Sequence, residues 1–123
     1  MVRPVIPSDF EEIVAWHKAH GMTIDPSFFP KTGFIEPGIA CGFVYITGTP
    51  VGFIEGYCSN PDADPSDRNE ALDSITVSLI DLAKNLGIKV LKAETSENTI
   101  LLRAIRHGYK TLGERHSIVM EVK

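Results

Sequence analysis

Two rhythms of apolar and polar positions run along this chain, one of period two and one near 3.6, separated by glycine and proline. Val2 to Ile6 reads as a short strand closed by Pro7. Ser8-Asp9-Phe10-Glu11 has the spacing of a capping box, in which the serine hydroxyl and the glutamate carboxylate satisfy orphan amides reciprocally. Phe10, Ile13, Val14 and His17 follow at helical spacing, and Gly21 stops the helix. Met22 to Lys31, with Pro26 and Pro30 around Phe28-Phe29, holds at most a short helix or turn. Phe34 to Glu36, Ile39 to Thr47 and Val51 to Cys58 are rich in aromatic and branched residues. They predict three successive antiparallel strands, with Gly48-Thr49-Pro50 as a tight hairpin between the last two.

A polar loop of turn residues, Ser59 to Asp67, leads into a predicted long helix over Arg68 to Leu86. Leu72, Ile75, Leu79, Leu82, Ala83 and Leu86 form its apolar stripe, and Gly87 ends it. Ile88 to Glu94 reads as a strand. Thr95 or Ser96 caps a further helix running through Arg106, and Gly108 closes it. Tyr109 begins a strand, Gly113 divides the tail, and Arg115 to Val122 alternates as a final strand. The string describes one mixed α/β domain over residues 1–123, with a mostly antiparallel sheet and helices on both faces.

Composition narrows the function classes. Sixteen acidic against twelve basic residues give a net charge of −4, which argues against a nucleic-acid partner, since phosphate-backbone binding needs a concentrated basic face. No run of 18 apolar residues exists to span a membrane, and Met1-Val2-Arg3-Pro4 lacks the apolar stretch of a secretory signal. Cys41 and Cys58 are too few for a disulfide framework, so free thiols and a cytoplasmic location are expected.

The order of elements resembles the GNAT (general N-acetyltransferase) superfamily across almost the whole chain. Pro50-Val51-Gly52-Phe53-Ile54-Glu55-Gly56 looks like the family's third and fourth strands. Glu97 to Tyr109 looks like its penultimate helix and the Gly-aromatic that follows. The brevity of the chain and its central loop also resemble small GNAT-like proteins of tailed phages. The resemblance implies a six- to seven-stranded sheet and the use of acetyl-CoA. The family's Pro-x-x-Arg/Gln-x-x-Gly-x-Gly/Ala stretch aligns with Pro65 to Asp73. Backbone amides and the helix dipole would there hold the cofactor pyrophosphate, through Arg68, Asn69, Glu70, Ala71, Leu72 and Asp73. Pro65 and Arg68 match the pattern, whereas Ala71 and Asp73 replace its two small residues. Asp67, Glu70 and Asp73 together make the motif degenerate. A carboxylate ~4 Å from a phosphate costs about 1 kcal/mol in water and several times more at a lower effective dielectric. The same acidic residues also suit an empty helix N-terminus, and Arg68 also suits a surface pair with Asp64 or Asp67.

Direct attack of an amine on a thioester, as the resemblance implies, needs a base, a polarised carbonyl and a proton for the leaving thiolate. Glu55 is the carboxylate on the expected fourth strand, and Gly52 and Gly56 beside it leave room for a substrate or a bulge; a solvent-facing strand residue is the plainer account. The position of the family's acidic tyrosine is Ala104, with Tyr57 and Tyr109 as the nearest phenols, both also suited to packing. Cys58 reads as a small buried thiol. His17 and His20 stand three apart but lack a recognisable third ligand, so no metal is expected. His107 suits a helix C-terminus, His116 a sheet, and Trp16 the core or an interface. Two functions remain open: an N-acetyltransferase acting on a small-molecule or protein amine, or an inactive GNAT-fold binding module, such as a phage protein engaging a host protein. Exposed final strands would invite a homodimer.

Overall fold

The computed structural model describes residues 1–95, 97–113 and 115–122. Its strands are β1 (Arg3–Pro4), β2 (Gly33–Glu36), β3 (Ala40–Ile46), β4 (Val51–Ser59) and β5 (Val90–Lys92); its α-helices are α1 (Phe10–Ala19), α2 (Pro65–Asn85) and α3 (Asn98–Arg106). Single 3-10 turns occupy Pro7–Asp9 and Pro26–Phe28. The five strands lie in the order β1-β2-β3-β4-β5. The first four are antiparallel neighbours, and β5 runs parallel to β4. That parallel step requires a crossover, and α2 supplies it.

Both faces of the sheet are covered. On one, Ile13 and Trp16 of α1 pack against Ile35, Cys41, Phe43 and Cys58. On the other, Ala71, Ile75 and Leu79 of α2 pack against Ala40 and Val44. Alternate residues of β3 thus serve opposite cores, as the period of two demands. Phe43, Val44, Ile75 and Leu79 are wholly buried. The α/β class, the three successive antiparallel strands and the helices on both faces agree with the sequence reading.

Three expectations are corrected. The tail forms no strand: neither Tyr109 nor 115–122 pairs with the sheet, so the described residues hold five strands rather than six or seven. Ile118, Met120 and Val122 fall on one side by the period of two, but with no strand edge beside them they remain exposed, as does Val119. Helix α2 begins at Pro65, three residues early, because Asp64 caps it through a 2.8 Å bond from the Ser66 N–H and Pro65 takes the first helical position. The capping box expected of Ser8 and Glu11 does not form; among the described residues α1 has no side-chain cap, and the carboxylate at work is that of Asp9, which closes the 3-10 turn before the helix. That carboxylate accepts the Ile6 N–H at 2.8 Å and pairs with Arg3 through two 2.8 Å bonds. At α3, Thr95 accepts the Glu97 N–H at 3.0 Å, while Ser96, the other expected cap, lies outside the described residues.

Candidate functional site

Strand β4 carries the two irregularities on which the site is built. Cys41 pairs with Cys58 but Phe43 pairs with Glu55, so β4 holds one residue more than β3 between these rungs. The bulge falls at Gly56, whose φ of 69° lies in the left-handed region. An added Cβ there would come within 2.5 Å of the Phe29 ring, so the position is closed to side chains on two counts. The second irregularity is a parting of strands. β4 pairs with β5 only from Val51 to Phe53, then continues to Ser59 without it. From Ile54 onward its edge toward β5 is open.

Glu55 sits at the start of that open edge. It is exposed, shares the α1 face of the sheet with its partner Phe43, and accepts the Gly56 N–H at 3.3 Å. On the opposite face, Ile54 and Tyr57 of β4, Thr76 of α2, Ala93 just after β5, Tyr109, and Ile100, Arg103 and Ala104 of α3 line a cavity of about 40 Å³. Space of that size holds about three waters. Ala104 leaves part of this room. Tyr57 is committed: its hydroxyl lies 2.8 Å from Thr76 Oγ1, which itself donates to Leu72 O at 2.8 Å, so the Tyr57 proton points at Thr76. Burial pushes the Tyr57 phenol well above its ordinary pKa, and raises Tyr109 as well. The sequence named both tyrosines; it did not show that they would share a wall with Ala104.

The residues aligned with the cofactor motif lie within α2. Arg68 N–H donates to Asp64 O at 3.0 Å, and the amides of Asn69, Glu70, Ala71, Leu72 and Asp73 are inside the helix ladder. Their amides are committed, so only side chains remain to meet a ligand. Three carboxylates had counted against an anion here, and the fold separates them. Asp67 and Glu70 line a groove of about 720 Å³ with Ala71, Ser74, Met1, Val2, Glu36 and Ile39, on the β1–β2 flank. Asp73 turns to α3, where its Oδ1 accepts from Arg103 (2.6 Å), Arg106 (2.7 Å) and His107 (3.0 Å). Partial burial raises its pKa, but bonds from His107 and Arg103 and the charges of Arg103 and Arg106 outweigh this and hold it below the usual range. Arg103 also binds Asn69 O and Oδ1, at 3.1 and 2.7 Å. The clasp joins α2 to α3 beside the cavity. Arg68 is different: its Nε is buried with no hydrogen-bond partner among the described residues. Neither Asp64 nor Asp67 pairs with it among the described ion pairs.

The remaining candidates have structural partners. His17 is buried, donates from Nδ1 to Ile13 O at 2.9 Å and meets Phe29 edge-on at 5.5 Å. His20 Nε2 lies 2.9 Å from Ser59 O. His107 is both the C-cap of α3 and a partner of Asp73, and His116 is exposed. Among the described residues no three His, Cys, Asp or Glu side chains come together. Cys41 and Cys58 are buried free thiols; burial lifts Cys58 to about 11 and Cys41 higher. Among the described residues no helix is long and apolar enough to cross a membrane.

No protein-family model and no curated protein sequence matches this chain. Solved structures do. Rv2747 from Mycobacterium tuberculosis, in complex with CoA and NLQ, superposes with a TM-score of 0.74 at 16% identity, over 92% of this chain and 73% of that one. Glucosamine-6-phosphate N-acetyltransferase from Arabidopsis thaliana gives 0.70 at 12% identity, over 98% of each. An acetyltransferase of Trypanosoma brucei gives 0.69 at 14%, over 98% and 99%. The chain has the fold of the GNAT acetyltransferases.

Proposed function

We propose that this protein transfers an acyl group from acetyl-CoA to an amine. The observation that carries the reading is the parting of β4 from β5 after Phe53 and Lys92, with an acid-bearing face on one side and a cavity between α2 and α3 on the other. A thioester arm entering from the α2–α3 side meets the open β4 edge at Ile54–Gly56, and an amine approaching from the α1 side meets it beside Glu55. Acetyl-CoA is taken up as a substrate. Arg68 fits its phosphates, because a guanidinium with a buried, unpartnered N–H is completed by an anion. The Asp67 amide, in the first turn of α2, adds a donor at the positive end of the helix. Glu55 takes the proton from the attacking nitrogen as the C–N bond forms and the C–S bond breaks, and the thiolate is protonated from solvent. Our reading places the enzyme in the cytoplasm.

A second reading, an inactive fold used as a binding module, such as a phage protein engaging a host protein, draws on other features. The cavity of about 40 Å³ is narrow for a pantetheine arm, and Ala104 carries no hydroxyl. On the proposed reading, the Asp73 clasp yields and the cavity widens on binding. Calorimetric titration of acetyl-CoA separates the two. Micromolar, saturable binding that weakens at least tenfold in Arg68→Ala supports the transferase; no binding at millimolar ligand leaves the partner-binding reading.

A further inference from the structure

The α1 face beside Glu55 has its own chemistry. Tyr45 and Phe53 are cross-strand partners and therefore share a face, and Glu55, two residues on from Phe53, shares it too. The Tyr45 hydroxyl donates to the Phe28 carbonyl, which ties the Pro26–Phe28 turn against this face. Phe28 is 75% and Phe53 43% exposed, unusual for large aromatic side chains. Burial and then the charge of Glu55 raise the Tyr45 phenol, consistent with a carboxylate close by. No cation pairs with Glu55 among the described ion pairs. Lys92 is in register with Phe53 on β5 and makes no ion pair with Glu55 among the described ion pairs, while Glu94, two residues further, accepts from the Ser117 hydroxyl at 2.8 Å.

Resting on the transferase reading, we infer that the acceptor is a primary alkylamine bearing positive charge, of the kind found in a linear polyamine or a lysine side chain. The rings of Tyr45 and Phe53 beside one unpaired carboxylate, with exposed Phe28 in the turn tied to Tyr45, attract an alkylammonium through ring faces and charge together; the carboxylate repels acceptors bearing carboxylate or phosphate. An ammonium held there gives one proton to solvent before attack, and Glu55 takes the second as the C–N bond forms at the point where the thioester would lie. Charge and aromatic surface thus select the substrate and prepare it.

The test is a titration of the isotope-labelled full chain, followed by NMR, with spermidine, with a lysine-containing peptide, with glutamate and with glucosamine 6-phosphate. Saturable shifts centred on Phe28, Tyr45 and Phe53 with spermidine or the peptide, and a Kd at least tenfold tighter than for the two anionic amines, support the inference; which of the two cations binds tighter identifies the source. Phe53→Ala is expected to weaken the favoured cation about fivefold, the scale of one exposed cation–π contact. No saturable shift with either cation, or a preference for an anionic amine, overturns the inference. Acetyl-CoA titration of the same sample is read separately: its failure removes the transferase reading, whereas failure of the amines alone removes only the acceptor class.

Discussion

Replacing Asp73 with alanine removes one oxygen that receives three donors from α3, and the cost can be built from its parts. Arg103 is the principal loss, because its side chain is 11% exposed and its bond to Asp73 is 2.6 Å. A hydrogen bond to a charged group contributes about 1.5–3 kcal/mol; the lower end applies, since Asp73 is 39% exposed and Arg103 keeps Asn69 O and Oδ1. Arg106 is 63% exposed, so its pair adds about 0.5 kcal/mol. Alanine recovers about 0.5 kcal/mol of helix propensity within α2. The net expectation is about 1.5 kcal/mol, or a fall in Tm of about 6 °C for a chain of this size. Circular dichroism melts at pH 7 measure it, and hydrogen exchange shows whether the loosening centres on α3. Asp73 titrates below its ordinary value in the folded state. Its stabilisation is therefore complete above the unfolded pKa near ~3.9 and is lost as pH falls through the lower folded value. The gap between wild type and variant should close toward pH 2. A variant melting within 1 °C of wild type at pH 7, with unchanged α3 protection, refutes the clasp as a stabilising contact.

Other expectations follow from the same fold. Gly56→Ala must accommodate a positive φ and a contact of 2.5 Å with Phe29, so it should cost about 2–4 kcal/mol and remove any acetyl transfer; a melt within 2 °C of wild type contradicts the bulge. Ile75→Ala empties a fully buried position between α2 and the sheet, with an expected loss of about 3 kcal/mol in urea unfolding. With burial raising both thiols, Cys58 to about 11, neither should react with a thiol reagent at pH 8 until the protein unfolds; rapid native labelling would place one of them at the surface.

Much of the fold could be read from local signals, because those signals act over a few residues. Gly21, Gly87 and Gly108 end their helices at positive φ, as their positions implied, and the apolar stripe of α2 points where its spacing said from Leu72 to Ala83, whereas Leu86 lies past the helix end and is exposed. The early start of α2 was legible in principle, since Asp64-Pro65 is itself an N-cap followed by proline at the first helical position. The tail failed for a different reason. Ile118, Met120 and Val122 have β propensity and a common face, but strand formation also needs a partner edge that sequence periodicity does not supply. The site was half visible. Glu55 and its flanking glycines were apparent, but the partners of Asp73 lie 30 to 34 residues away and appear only once α3 packs beside α2. The loss of free amides at Asn69 to Asp73 likewise depends on where the helix begins.

The extra residue at Gly56 puts the two halves of β4 out of phase. Counting by twos, Tyr57 would follow Glu55 to one side of the sheet; with the insertion, Tyr57 turns toward Thr76 while Cys58 rejoins Cys41. If Gly56 stayed in the strand without the bulge, the remainder of the strand would invert, driving a phenol into the α1 core and a thiol toward α2. The backbone at this one position is therefore far less negotiable than the composition around it: most neighbours can be exchanged for residues of similar bulk, but Gly56 must hold its left-handed bulge for Tyr57 and Cys58 to reach opposite cores.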